Sequence, residues 1–422
     1  MLKNRQIAWS RALLHLKSSV IMTDSKQTLS RRDFLKTATA AGAASIIGAL
    51  GNPVTASQPQ ATMPTRPFGK TGIEVPILSF GGSLNTSLSM LVLRQAVLLG
   101  VTHWDTANSY MGGRSETGIG KYFEKFPSDR KRIFLVSKSH AWDTGGMSQD
   151  LDLSLERMRT DYIDLYLMHS INSNSELTRG KKAWAEKKKA EGKIRLFGFS
   201  THSNMAACMM AAAGLGWIDG IMMSYNYRLM HTDEMQRATD DCAAAGIGLT
   251  AMKSQGGGQV KTDSETELKL AGRFLQKGFT DAQAKLKAVW ENPNIATICT
   301  EMPNMTLLMS NVAAATDQKK LSARDFDLLG QYARQNRSDY CSGCTRICQP
   351  AVPGGTPIGD VMRYLMYARS YGDRHRARMH FQKIPLPIRR RMASIDFRPA
   401  EKKCPQRMAI GDLMRQALME LS

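Results

Sequence analysis

The chain has 422 residues, 42% hydrophobic and 22% charged, the balance of a folded globular protein and not of a disordered or fibrous one. Its formal net charge is +20, and its seven cysteines, an odd number, argue against a closed disulfide framework. At this length one large domain with an appendage is expected.

In chain order the first feature is Ser30-Arg31-Arg32-Asp33-Phe34-Leu35-Lys36, the S-R-R-x-F-L-K pattern of a twin-arginine export signal. Thr37 to Leu50 is apolar but built of Ala and Gly over 14 residues. A spanning helix needs about 20 strongly apolar residues, so a removed signal is the reading, and an uncleaved anchor or a chance Arg-Arg pair the alternative. Val54-Thr55-Ala56 is a small-x-small site, which sets the signal at residues 1–56, and Met22 stands where an ordinary signal would start. The route implies a periplasmic or otherwise exported mature chain.

From Phe80 onward short apolar runs alternate with helical patterns. Strands are expected at 77–82, 103–107, 133–139, 163–169, 196–201, 218–226, 247–254 and 295–302, with amphipathic stretches such as 90–100 and 148–159 between them. Eight strand–helix units of about 30 residues predict a (β/α)8 TIM barrel over 65–315. A doubly wound open sheet is the competing fold. It calls for a Gly-rich phosphate fingerprint after the first strand, and Phe80-Gly81-Gly82-Ser83 does not supply one. Residues 316–422 form a small cysteine-containing, mainly α-helical C-terminal extension.

A barrel places its chemistry at the C-terminal ends of its strands. Asp105 and Tyr110 flank the end of the second expected strand, Lys138 ends the third and His169 ends the fourth. Carbonyl reduction by hydride needs a proton donor at oxygen. A tyrosine serves if a lysine lowers its pKa and an aspartate holds that lysine, while a histidine orients the carbonyl. The run W-D-T-A-x-x-Y, then S-K, then D-Y-I-D-L-Y-L-M-H, then G-K-I-R-L-F-G-F-S, resembles the aldo/keto reductase family in order and spacing over about Thr65 to Ala315. The resemblance implies Tyr110 as general acid, Lys138 and Asp105 as its tuning pair, and His169 as the group that positions the carbonyl.

It also implies contacts to a nicotinamide cofactor, NADP or NAD, at Ser200, Thr201, Tyr225, Lys253 and Asn311. Met222 stands where a carboxamide-gripping glutamine is common. The loop from Cys299 to Asn304 lacks the basic residue that pairs with a 2′-phosphate, and Glu301 there would repel that group.

Cys341, Cys344 and Cys348 give C-x2-C-x3-C, and Cys404-Pro405 supplies a fourth thiolate. This set suits a [4Fe-4S] cluster; structural zinc and a disulfide pair are the other readings. Some relatives of the reductase family carry a ferredoxin-like tail that resembles it. Cys208, Cys242 and Cys299 read as ordinary buried thiols. From Val361 to Arg407 there are 13 Lys and Arg against three acids. No nucleic-acid motif accompanies them; anionic membrane headgroups, an acidic redox partner, a shell around an anionic cluster and a solvated face remain open.

The expected function is an exported oxidoreductase that interconverts a small carbonyl and an alcohol by hydride transfer and carries an iron–sulfur cluster. The alternative is an electron-transfer or partner-binding iron–sulfur protein on a barrel that no longer binds nicotinamide.

Overall fold

The computed structural model describes residues 62–257 and 264–422. The export signal read at 1–56 lies outside the described residues. The described chain begins with a hairpin, β1 (Thr65–Pro67) and β2 (Glu74–Pro76), which the sequence reading did not anticipate. The eight expected strands follow: β3 (Leu78–Gly81), β4 (His103–Asp105), β5 (Phe134–Ser139), β6 (Ile163–Ile171), β7 (Ile194–Thr201), β8 (Gly220–Ser224), β9 (Gly248–Met252) and β10 (Ile295–Glu301). They pair in parallel and in sequence order, and β10 returns to β3 to close the barrel. Helices stand between consecutive strands, as a parallel sheet requires. Two of them, Glu265–Gln276 and Asp281–Trp290, separate β9 from β10.

Strand side chains alternate between two cores. Phe134 and Val136 of β5 and Leu165 and Leu167 of β6 fill the barrel interior, while Leu135 and Tyr166 face the surrounding helices. Continuing that period of two carries Lys138 and His169 to the inward side of the upper rim. At the opposite end the hairpin drives Phe68, fully buried, against the strand glycines Gly220 and Gly248 and the rings of His103 and Phe134.

After the barrel come helices Met305–Thr316 and Ala323–Gln335, then a chain of helices to Leu421. The extension has its own core, with Val361, Leu365, Phe381, Met392, Phe397, Met414 and Leu421 among its buried members. It is tied to the barrel by specific bonds. The Asn226 side-chain amide donates to the Tyr340 hydroxyl at 2.9 Å, Arg228 Nη1 donates to Asn336 Oδ1 at 2.9 Å, and the Arg346 backbone N–H donates to Asn204 Oδ1 at 2.9 Å. Among the described residues no helix is long and apolar enough to cross a membrane.

Barrel closure leaves no room at Gly198 in β7, where a Cβ would lie 1.7 Å from the carbonyl oxygen of Gly220 in β8. Gly198→Ala is therefore expected to destabilise the fold by about 3 kcal/mol, read as a lowered denaturant midpoint.

Candidate active site

Asp105 is the last residue of β4 and Lys138 the fifth of β5, and the barrel interior buries both almost completely. The Lys138 ammonium donates to Asp105 Oδ1 at 2.5 Å and to the Thr106 carbonyl at 2.7 Å. Burial pushes the Asp105 carboxyl up, and the Lys138 charge and hydrogen bond pull it back. Lys138 Nζ lies 4.9 Å from the centroid of the Tyr110 ring, against its face. Tyr110 is half-buried in the turn after β4, and its ring meets that of His169 edge-on at 5.5 Å. The four catalytic candidates thus share one rim.

The ladder breaks around His169, which strand parity has already turned inward. The register between β6 and β7 shifts between Met168 and Ile171, and Ser170 adopts φ 62°, a left-handed backbone on a non-glycine residue. Such bulges re-aim side chains beside active sites. His140 stacks on His169 at 3.9 Å. Burial first, then the neighbouring His140, Lys138, Arg363 and Lys253, hold the His169 pKa well below 6.5. The imidazole is neutral at physiological pH and available as a hydrogen-bond partner.

Burial pushes the Tyr110 phenol well above 10, and the Asp105 charge adds to this. The cation acting against that rise is Arg376, from the extension. Arg376 also bridges Glu301 at the end of β10, Nη1 to Oε1 at 2.8 Å. The repulsion expected of Glu301 toward a phosphate is thereby offset.

Ser200 and Thr201 close β7. The Ser170 backbone N–H donates to Ser200 Oγ at 2.9 Å, and the Thr201 hydroxyl donates to the Ser203 carbonyl at 2.8 Å. Tyr225 follows β8, is buried, and accepts from the Asn292 amide at 2.7 Å. Asn311 is buried on helix Met305–Thr316, after β10. Lys253 follows β9 with φ 55° and borders a cavity of about 370 Å³. His202, Ser224, Arg363 and Arg369 line the same cavity, as does Cys341. Of the five cofactor candidates, Lys253 alone borders this space.

Cys341, Cys344, Cys348 and Cys404 converge on a second, small cavity of about 20 Å³. Cys341 and Ser342 wall both cavities. The cysteine loop lies close on the barrel: at Gly343, φ 75°, a Cβ would come 2.2 Å from the His202 carbonyl oxygen. Burial and then the neighbouring thiols push the Cys341 thiol up to about 12, apart from a lowering backbone bond at Gly343. Among the described residues no three His, Cys, Asp or Glu side chains gather closely enough to hold a single metal ion. Cys208, Cys242 and Cys299 are free and buried, as expected of them.

The sequence reading did not assign His140, His202, Arg363, Tyr367 or Arg376 to the site. The basic run of 361–407 contains the two arginines, but their inward orientation has no signal in a single sequence. His202 directly follows Ser200-Thr201 at a strand end, a position that could have singled it out.

Comparison with known proteins agrees with this architecture. Residues 78–321 match the aldo/keto reductase family model, and residues 28–48 match the twin-arginine translocation pathway signal sequence. The chain belongs to the aldo/keto reductase family, and its signal supports export through the twin-arginine pathway. Methylglyoxal reductase YeaE of Escherichia coli (strain K12) is 41% identical over 110 residues, 26% of this chain and 37% of that protein. L-galactose dehydrogenase of Arabidopsis thaliana is 23% identical over 285 residues, 61% of this chain and 89% of that protein. Against three of its curated relatives the chain spans 37%, 62% and 53% of their length. The thermostable aldo-keto reductase Tm1743, solved with the inhibitor epalrestat, superposes with a TM-score of 0.54 at 25% identity, covering 64% of this chain and 99% of that one. Aldo-keto reductase AKR11C1 from Bacillus halodurans shares the fold at a TM-score of 0.52 and 21% identity, covering 64% and 96%.

Buried neutral histidines give the fold an acid liability. Burial and the Lys138 charge lower His103 to about 3, and neither ring nitrogen has a hydrogen-bond partner. The unfolded chain binds a proton there near pH 6.5 and the folded chain does not, so stability falls as pH drops from 6.5 toward 3. About 1 kcal/mol per pH unit is expected from this group, seen as a lower urea midpoint at pH 5 than at pH 7.

Proposed function

We propose that this protein is an exported reductase of small carbonyl compounds in which Tyr110 gives a proton to the carbonyl oxygen and His169 orients that oxygen. The observation carrying this reading is the convergence of Asp105, Lys138, Tyr110 and His169 on one rim, from three adjacent strands. A nicotinamide, when bound, supplies the hydride. The residues fit its phosphates better than its carboxamide. Lys253 and Arg363 border the 370 Å³ cavity and offer charge there, whereas Ser200, Thr201 and Tyr225 spend their hydroxyls on protein partners. Lys253 would then serve as the phosphate contact of the cofactor site, whereas Ser200, Thr201, Tyr225 and Asn311 do not border the cavity.

Within this frame each protein group has one task. Lys138, fixed by Asp105 and Thr106, places a positive charge beneath the Tyr110 ring, where it stabilises negative charge that develops as the phenol gives up its proton. Neutral His169 donates a hydrogen bond to the carbonyl without competing for the proton.

The cysteine set fits a [4Fe-4S] cluster. Four free thiols from two segments border one cavity, the donor set such a cluster takes, with structural zinc as the other thiolate-bound reading. A second reading, electron transfer on a barrel without nicotinamide, draws support from the bonded state of Ser200, Thr201 and Tyr225. Titration with NADPH and NADH followed by nicotinamide fluorescence separates the two, since the reductase reading expects binding and the second expects none.

Tyr110→Phe is expected to lower kcat for test aldehydes by at least ~100-fold; an unchanged rate would sink the assignment. Cys344→Ala is expected to remove iron and acid-labile sulfide from anaerobically purified protein, and zinc in their place would refute the cluster.

A further inference from the structure

The geometry points to Arg157, held by Glu116, as a positioning residue for the proton donor: its guanidinium braces the turn that carries Tyr110 and so sets where that ring stands relative to Lys138. The inference rests on the reading of Tyr110 as proton donor and names what holds that donor in place.

A proton donor must leave its hydroxyl free to meet substrate, so its ring has to be held from the backbone side. The backbone after Tyr110 is strained. Met111, Gly112 and Gly113 follow one another at φ 52°, 64° and 89°, three left-handed residues in a row, the first of them not a glycine. Such a run is costly for L-residues and persists only where the surroundings enforce it. Backbone bonds start the turn. The Tyr110 N–H donates to the Ala107 carbonyl at 3.0 Å, and the Asn108 N–H donates to the Lys138 carbonyl at 3.1 Å.

Arg157 supplies a brace from outside. It lies on helix Thr144–Met158, between β5 and β6. Its Nη1 donates to the Asn108 carbonyl at 3.0 Å, just ahead of Tyr110, and to Glu116 Oε2 at 3.2 Å. The same guanidinium lies against the backbone of Gly113, where a Cβ would fall 2.5 Å from Cζ. One planar group thus meets the chain on both sides of Tyr110. Helix Arg114–Lys125 comes close enough for this at Gly120, where a Cβ would lie 2.0 Å from the Arg157 carbonyl oxygen.

Glu116 carries the restraint on to the lysine. It is fully buried, and its other oxygen, Oε1, accepts from the Ser137 hydroxyl at 2.7 Å. Ser137 immediately precedes Lys138 in β5. The contacts run Ser137–Glu116–Arg157–Asn108 and tie the strand that presents the ammonium to the turn that presents the phenol. A lysine at 157 would keep the charge but lose the flat fork that meets a carbonyl, a carboxylate and a glycine backbone together. None of these four residues borders the cavity that Lys253 lines, so they act on the chemistry through the position of Tyr110.

The test uses the full-length mature protein. Arg157→Ala should lower kcat for a test aldehyde about tenfold or more and leave KM within about twofold, because a small misplacement of the donor is felt in the chemical step. Millimolar guanidinium chloride should then raise kcat severalfold, since the Arg157 side chain is 25% exposed and its place is within reach of solvent. Sodium chloride at the same concentration should not. Arg195→Ala controls for the loss of an ion pair as such. It removes a 2.9 Å contact to buried Asp164 at the opposite end of the barrel and should leave kcat unchanged. If Arg157→Ala does not fold, Glu116→Gln, which keeps the shape and an acceptor for Ser137 but not the charge on Arg157, should lower kcat about threefold or more at unchanged KM. A wild-type kcat in whichever variant folds, a loss confined to KM, no gain from guanidinium beyond that from sodium chloride, or an equal loss in Arg195→Ala would each overturn the positioning role. A fully active Tyr110→Phe would overturn the proton-donor reading and this role together. An inactive Tyr110→Phe beside a normal Arg157→Ala would overturn the positioning role alone.

Discussion

Two opposite charges taken out of water together set the terms for everything at the barrel mouth. Lys138 and Asp105 are both buried, and their 2.5 Å contact, with the Thr106 carbonyl as a further acceptor, satisfies a charge that the interior would otherwise expel. Removing one partner of such a pair costs about 3–5 kcal/mol, because the survivor is stranded. The pair therefore locks β4 to β5 at their upper ends and keeps a cation inside the barrel. His169 is neutral in part because of that cation, and the Tyr110 ring rests against it.

The extension answers the same electrostatic demand from the other side. A rim holding Glu301 and Lys253 is closed by a helix pair carrying Arg363, Tyr367 and Arg376: Glu301 pairs with Arg376, and the Lys253 ammonium meets the face of the Tyr367 ring at 5.0 Å. The extension is thus more than a tail docked at a distance. Its own apolar core makes it a stable body, and Asn226–Tyr340 and Arg228–Asn336 bring that body to bear on the ends of the strands. Part of the basic run is consumed in this way. Other members pair locally at the surface, as Arg369 does with Glu420 and Arg398 with Asp396.

The barrel was legible because buried parallel strands are written as continuous apolar runs, and all eight runs became strands. Asp105, Lys138 and His169 were legible because strand parity forces them inward at the same end. The β1–β2 hairpin was not, since three-residue strands such as Thr65–Pro67 leave no period to detect. Nor were Arg363, Tyr367 and Arg376. Their helical pattern shows which residues share a face, but the identity of the surface they meet is set by distant contacts, as between Arg376 and Glu301, 75 residues apart. The bonded state of Ser200 and Tyr225 was hidden for the same reason, because Ser170 and Asn292 become their partners only once the barrel closes.

Export through the twin-arginine route bears on why site and tail are built as one. That route carries proteins already folded, and here the mouth is complete only when the extension is seated. The Gly343 loop touches His202, Cys341 walls both the barrel cavity and the cysteine cavity, and Cys404 reaches the other three cysteines through the packed helices between. A chain that had closed its barrel but not its extension would expose Lys253 and Glu301 without their partners and leave the four thiols apart. Seating the extension settles the electrostatics of the mouth and gathers the thiols in one event. Both are then in place before the folded protein leaves the cytoplasm.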